Sequence, residues 1–437
     1  MNRIIFYLVS AIAAMTFVSE ASALPVFARQ TGMECSACHF QHFPMLNSFG
    51  RAFKSGAYTL MGAQAQIEGP KGDNLSIPEN LNMAVLTTLG YEKSNMVAGD
   101  SSTGTLNTGN GQFYVPGNGG ELSLFFGGRI NGNAGFLSEI GLAGPAGLGS
   151  AKLPILFEVA DGTRAGIVPF TTDGQGASYG FEVLNTGANA VHQMSPVGGI
   201  NDAHAHALSA QQYIGTGSAA MGLAFVVNNT MGFINLTKFN QTLPGDGNAG
   251  TAAKLGSTYA RLAGTFDMAG WDSGVGIQSW SGSSYNSDPL VAAVSATKAT
   301  AIDGQMQGAL GGMPVGFYAS YAKAPVDAID SITNVSTNIY NGGGTMDRSS
   351  FNVSGELGVL PGVATLGAAI RRAKSGVDDG TGANATDNAF MLTATYKLSQ
   401  NMMASLSYTT SSGSYWNQTN IDAIGSKTTT LSLFTLF

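Results

Sequence analysis

The chain has 437 residues and a formal charge of −7, with 60 glycines and only 11% charged residues. So much glycine beside so few charges is unlike an ordinary soluble domain, and the acidic balance argues against a nucleic-acid partner. Two cysteines leave no material for a disulfide scaffold or a Cys-rich metal site.

At the amino terminus, Arg3, the apolar run Ile4 to Val18 and the small residues Ala21-Ser22-Ala23 before Leu24 read as a signal peptide over residues 1–23. The run is short for a membrane span, no stop-transfer pattern follows it, and no cysteine at the cleavage site offers a lipid anchor. Export is the expectation.

Cys35-Ser36-Ala37-Cys38-His39 form a C-x-x-C-H run, the spacing that fastens a haem through two thioethers. Two cysteines one helical turn apart reach the two vinyl groups of one porphyrin, and the next residue brings its imidazole under the iron. Cys35, Cys38 and His39 are therefore the expected cofactor-binding residues for one covalent haem c, with His39 a metal ligand. A C-x-x-C redox dithiol is the competing reading, and the following histidine together with export favours haem.

The second axial ligand stays open. His42 is only three residues on, Met45 lies just past Pro44, and Met61 comes 22 residues after His39. Met61 is preferred because a chain leaving a second helix can wrap back over the far face; Met45, His42 or a barrel residue are the alternatives. Methionine ligation would raise the redox potential. Phe40, Phe43, Leu46, Phe49 and Phe53 are expected to pack on the porphyrin, with Pro44 opening the second helix. Arg51 and Lys54 would pair with haem propionates or form a solvated helix face. Residues 24–78 thus read as a small helical haem head, too small for a core of its own, ending in a connector from Gln64 to Pro78.

From residue 79 to 437 no stretch supplies the ~20 consecutive apolar residues of a spanning helix. Apolar residues recur instead at every second position. Examples are Leu223-Phe225-Val227, Val315-Phe317-Ala319-Tyr321, Phe351-Val353-Gly355-Leu357, Leu392-Ala394-Tyr396 and Met402-Ala404-Leu406-Tyr408. Gly, Ala, Ser and Thr dominate the other face. Tyr396, Tyr408, Phe239 and Tyr321 sit at strand ends, as an interfacial girdle would, and the chain stops on an alternating strand ending in Phe437. This is the pattern of an all-β transmembrane β-barrel in an outer membrane, of about 16 antiparallel strands at roughly 20 to 24 residues each with loops. Polar, Gly-rich loops are expected near 93–119, 188–216, 241–254, 325–346, 373–388 and 411–425. With the head at +1 the barrel carries −8, which favours cations over anions. Asp202, His204 and His206, with His192 nearby, would lie on one side of an extended loop, either as a transient divalent-metal site or as an ordinary polar loop.

The segment Leu24 to Leu60 carries a resemblance. Phe27-Ala28-Arg29-Gln30-Thr31-Gly32-Met33, the C-x-x-C-H run, Phe43-Pro44-Met45-Leu46-Asn47-Ser48-Phe49-Gly50-Arg51-Ala52-Phe53-Lys54 and Tyr58-Thr59 resemble the fused monohaem cytochrome–porins of the bacterial outer membrane. Over the barrel the likeness lies in length, strand pattern and Phe437. The resemblance implies a haem head plugging a 16-stranded barrel. Electrons from extracellular Fe(II), or another reductant, would pass to a periplasmic c-type cytochrome or similar carrier, an iron:cytochrome c oxidoreductase type of activity. A solute-passing porin gated or sensed by a haem-bearing plug is the alternative, and a soluble periplasmic cytochrome with a β-rich partner domain is a weaker third.

Overall fold

The computed structural model describes residues 25–437 except 63, 69–75, 80, 96, 100–105, 109–110, 143–146, 188–202, 242–253, 286–293, 329–336 and 418–425. The expected signal peptide lies outside the described residues. The head contributes three short helices, α1 (Pro25–Thr31), α2 (Cys35–Cys38) and α3 (Ser48–Ser55). The expected connector contains two paired short strands, Gln66–Glu68 and Ser76–Pro78.

The rest closes into an antiparallel barrel of 16 strands, as the alternation predicts. They are β1 (Met83–Ser94), β2 (Gly111–Pro116 continued by Leu122–Arg129), β3 (Gly135–Gly141), β4 (Gly147–Lys152 continued by Ile155–Ala160) and β5 (Thr163–Thr172). Next come β6 (Ala220–Asn229), β7 (Gly232–Asn240), β8 (Ser257–Met268), β9 (Trp271–Tyr285), β10 (Val294–Ala296 continued by Ala299–Leu310) and β11 (Met313–Ala324). The last are β12 (Arg348–Leu360), β13 (Ala364–Asp378), β14 (Asn384–Thr386 continued by Asn388–Ser399), β15 (Met402–Ser412) and β16 (Lys427–Leu436). The seam forms where β16 pairs with β1, from Thr428 opposite Ser94 to Leu436 opposite Leu86. Phe437 extends it, exchanging both backbone bonds with Val85 at 2.7 and 3.0 Å. Closure leaves no lipid-facing edge of unpaired amides.

One rim is built from tight turns. Ala269-Gly270 (φ 54° and 82°) and Gly311-Gly312 (φ 58° and 84°) hold two consecutive left-handed residues, the two-residue hairpin geometry whose twist suits the flanking strands. The long connections all lie at the other rim. One expected loop is much shorter than composition suggested: β13 runs on to Asp378 and β14 starts at Asn384. Asp378 and Asp379 accept from the amides of Gly380, Thr381 and Gly382, folding the polar stretch into a turn. Likewise Gly111–Pro116, within the expected 93–119 loop, is strand.

The outward positions are apolar and open. Phe317, Leu392, Leu406 and Leu431 are each about half exposed, while their neighbours Tyr318, Thr393, Ser405 and Thr430 are buried in the interior. Polar inside and apolar outside is inverted relative to a water-soluble sandwich and fits a hydrocarbon surround. Among the described residues no helix is long and apolar enough to cross a membrane. The protein is an outer-membrane-type β-barrel. Phe239 is a correction to the expected aromatic girdle: it is fully buried in an interior cluster with Phe170, Tyr259 and Trp280. The apolar period does not tell a lumen-facing ring from a lipid-facing one once the lumen is filled.

The lumen is filled by two inserts. The connection after β5 turns inward, with residues 176–187 buried throughout, and carries α4 (Ala203–Leu208) and α5 (Ala210–Tyr213). Beneath it, at the tight-turn rim, sits the head. Ala57 of the head shares an apolar cluster with Phe181, Val183 and Leu184 of the insert and with Val168, Val226, Phe233 and Ala263 of the wall. Each such large side chain removed from water is worth about 1.5–3 kcal/mol, so head, insert and wall hold one another in place.

Candidate functional site

The head is positioned by short-range chemistry. Pro25 opens α1, where its missing N–H costs nothing. The second helix starts later than Pro44 predicts: α3 begins at Ser48 because Asn47 caps it, its side chain accepting from the Gly50 amide at 2.9 Å. The same side chain donates to the Ala37 carbonyl at 3.0 Å, tying the cap of α3 to α2. A Cβ on Gly50 would stand 2.1 Å from the Cys38 carbonyl oxygen, so α3 and α2 meet backbone to backbone.

Cys35, Cys38 and His39 all line one cavity between the head and the barrel. No disulfide joins the two cysteines. His39 ends α2, its amide bonded to the Cys35 carbonyl at 2.9 Å. Its ring Nδ1 lies 3.0 Å from the Met45 carbonyl oxygen. A backbone acceptor there keeps the proton on Nδ1 and leaves the Nε2 lone pair available, the same support that metal-bound histidines receive. Burial pushes the His39 pKa down to about 4, so the ring is neutral at pH 7. Burial also pushes the Cys38 thiol up, opposite to the depressed thiol that a reactive dithiol pair needs.

The cavity wall is chiefly apolar. Phe27, Phe43, Leu46, Phe53 and Tyr58 come from the head, and Leu86, Phe125, Leu137 and Leu436 from the wall. Phe27 stacks on Tyr58 with centroids 4.8 Å apart, and Phe43 stacks on Phe434 of β16 at 5.3 Å. A second groove on the tight-turn rim shares Cys35, His39, Phe43 and Leu436 with the cavity and includes Gln400, Asn401 and Met402. Two thiols, one supported neutral imidazole and an apolar slot reaching the rim suit a covalently attached porphyrin in donor chemistry and in polarity. Of the expected aromatic packing, Phe43, Leu46 and Phe53 line the cavity. Phe40 lines the rim groove, and Phe49 is 38% exposed.

The preferred second ligand, Met61, and the head alternatives Met45 and His42 do not line the cavity. Met45 is buried, and its carbonyl oxygen meets the His39 ring. His42 spends both ring nitrogens: Nε2 meets Glu356 of β12 at 2.5 Å and Nδ1 meets the Phe43 carbonyl at 2.7 Å. Met33 does line the cavity, a position that helix geometry after His39 could not suggest.

Arg51 is drawn away from the cavity. Its guanidinium takes both carboxylate oxygens of Asp272 at 2.5 Å and reaches Gln307 at 3.3 Å, latching α3 to β9 and β10. Lys54 stays at the cavity and is joined there by Lys152 of β4 and Tyr179 of the insert. Burial pushes Lys54 down to about 8. Lys152 and Tyr179 were illegible in the sequence, because only closure of the barrel brings β4 and the insert against the head.

The His/Asp cluster is not an extended strand. Asp202 and His192 lie outside the described residues, and His206 is in helix α4. The His206 ring meets Tyr213 edge to face at 6.1 Å. Burial, with Arg371 and Arg348 nearby, pushes its pKa down to about 3. Two guanidiniums beside it oppose a divalent cation. Among the described residues no group of three or more His, Cys, Asp or Glu side chains could hold a metal ion.

No protein-family model and no curated protein matches the chain. Among solved structures it is similar to the outer-membrane channel DcaP of Acinetobacter baumannii, at 11% identity over 82% of this chain and 97% of that one, with a TM-score of 0.49. It is also similar to a Salmonella typhi OmpF solved with daunomycin, at 14% identity over 85% and 100%, TM-score 0.48. Vibrio cholerae OmpT, at 10% identity over 85% and 100%, has a TM-score of 0.45. The barrel assignment rests on the strand pairing and the inverted polarity, not on these likenesses.

Proposed function

We propose that the protein is an outer-membrane electron conduit. It would carry electrons from an extracellular reductant such as Fe(II) to a periplasmic carrier such as a c-type cytochrome, using one covalent haem held by Cys35, Cys38 and His39. The observation that carries the reading is that both thiols and the supported His39 imidazole line one apolar cavity at the tight-turn rim of the barrel. The haem would supply reversible one-electron chemistry at iron. This chain's part is to tether it, hold Nε2 of His39 toward the iron, and keep bulk water off the apolar faces with Phe27, Phe53 and Tyr58.

The hydrocarbon layer to be crossed is about 25–30 Å thick. In outer-membrane barrels tight turns face the periplasm and long loops face outward, so the cavity would lie at the periplasmic side with its rim groove open to a carrier. Toward the long loops the lumen holds an aromatic column in one packed cluster. Phe170 is 6.2 Å from Tyr179, Tyr259 is 4.9 Å from Trp280, and Trp280 is 6.3 Å from Tyr340. The packed column supports transfer through protein in preference to diffusion of solute through water.

A solute-passing porin with a gating plug is the second reading. The strand number favours it, since barrels of 16 strands are wide enough for an aqueous channel. Anaerobic addition of Fe(II) to the purified protein in detergent separates the two. The conduit predicts a reduced-haem spectrum with one electron taken up per chain. An unchanged spectrum, with solute flux through protein in liposomes, would replace the conduit by the porin.

A further inference from the structure

The charges on the lipid-facing side of the barrel are unevenly placed. Lys93 of β1, Lys238 of β7, Lys323 of β11, Arg372 and Lys374 of β13, and Lys427 of β16 all point outward. They stand two or four residues from the outward Leu89, Leu236, Tyr321, Ile370 and Leu431, and so share their face. Each lies in the part of its strand next to the long connections. Toward the tight-turn rim no strand turns a cation outward among the described residues. The cations of that rim face the head instead. A Cβ on Gly56 would meet the Arg164 guanidinium, Lys397 lines the rim groove with Cys35, and Arg129 is paired with Gly135, which abuts the Ala57 carbonyl.

Three of these cations lie together. The register sets Lys323 and Lys374 on either side of Ser349, roughly 10 Å apart across two strand spacings. Arg372 stands opposite Phe351 on the same face. Lys323 holds Asp347 at 2.7 Å, and Lys374 donates to the Asn384 carbonyl at 3.2 Å. Asp378, further along β13, accepts from the Gly380 and Gly382 amides. The patch therefore keeps a positive balance. Beside and beneath Arg372, Tyr321, Phe351, Ile370 and Phe390 are all exposed, the aromatic belt that marks the edge of the hydrocarbon. A ligand that fits has apolar chains for this belt and an anionic head for the cations, and the planar Arg372 guanidinium suits phosphate. Phospholipid common to both leaflets would call for cations at both rims, so the anion must belong to one leaflet. We propose that Lys323, Arg372 and Lys374 bind a phosphorylated glycolipid of the outer leaflet, its phosphates on the cations and its acyl chains on Phe351, Ile370 and Phe390. The proposal needs the barrel with its long loops outward, and stands apart from the haem reading.

The test titrates the full-length protein in detergent with diphosphorylated lipid A, with dephosphorylated lipid A and phosphatidylglycerol as comparators, and reads bound lipid by native mass spectrometry. The parent should retain the diphosphorylated lipid and discriminate against both comparators. A cation near an anionic lipid head is worth roughly fivefold in binding, so the double variant Arg372→Gln with Lys374→Gln should bind about 30-fold more weakly. The difference should shrink at high salt. Arg372→Lys, which keeps the charge, should stay close to the parent. Both substituted side chains are exposed, and either single variant reads the same loss in part. Unchanged affinity in the double variant overturns the site. Equal binding of dephosphorylated lipid A would reduce it to apolar adhesion, and equal binding of phosphatidylglycerol would remove the glycolipid; either result overturns the proposal.

Discussion

Asn185 of the inward insert holds the head with both ends of one amide. Its Oδ1 accepts from the Leu46 N–H at 2.9 Å and its Nδ2 donates to the Leu46 carbonyl at 2.9 Å. Its own N–H donates to Gln305 of β10 at 2.6 Å, so the amide couples head, insert and wall. Replacing it with Leu keeps the shape and removes both partners of a buried backbone unit. The Leu46 N–H would be left without its acceptor, at about 1–3 kcal/mol, while the carbonyl keeps only the long 3.5 Å contact from Arg51. A total of about 2–4 kcal/mol corresponds to roughly 30- to 1,000-fold more frequent opening of the head. Hydrogen exchange followed by mass spectrometry reads this directly. In Asn185→Leu the peptides spanning 35–55 should exchange faster by that factor while β13 to β15 keep their protection. Unchanged protection over 35–55 would refute the idea that this amide holds the head.

Three further outcomes follow from the same geometry. Gly50→Ala places a methyl against the Cys38 carbonyl and should cost the head about 1–3 kcal/mol; haem attached per chain should fall, and a full complement of haem would count against the close contact of α2 and α3. Arg261→Met strands Glu182 and Asp303 as buried carboxylates, a loss of about 3–5 kcal/mol. It should loosen the insert and raise ion conductance in planar bilayers, whereas a barrel as silent as the parent would show that the triad does not close the lumen. His206 has a folded pKa of about 3 against an ordinary 6.5, so its unfolded form binds a proton that the folded form refuses. The insert is fully stable above pH 6.5 and should lose about 1.4 kcal/mol per unit as pH falls toward 3. Exchange over 203–213 should therefore quicken at pH 5 after correction for intrinsic rates, and a pH-independent protection would contradict the burial of this ring.

Alternation of single residues was enough to reveal the barrel, because every strand must show lipid an apolar face. Strand number followed from length alone. What fills the lumen was not legible. The segment 173–187 carries no motif that marks it as an insert, and only its burial against β6, β7 and β8 gives Glu182 and Tyr179 their roles. The C-x-x-C-H run was legible as the centre of the candidate site, since its spacing is local along the chain. Lys152 was invisible for the opposite reason: one lysine in a short strand carries no sign of which head residue it will face. Arg51 illustrates the converse error. A cation at helical spacing beside Lys54 suggests a shared ligand, yet Asp272 and Gln307, more than 200 positions away, claim it first.

The most direct measurement is the visible spectrum and intact mass of the exported protein after unfolding and acid–acetone extraction, which strips any haem not covalently bound. The account predicts a coloured chain heavier by one haem, with Cys35 and Cys38 resistant to alkylation. A colourless chain of unmodified mass, with both thiols open to iodoacetamide, would contradict it.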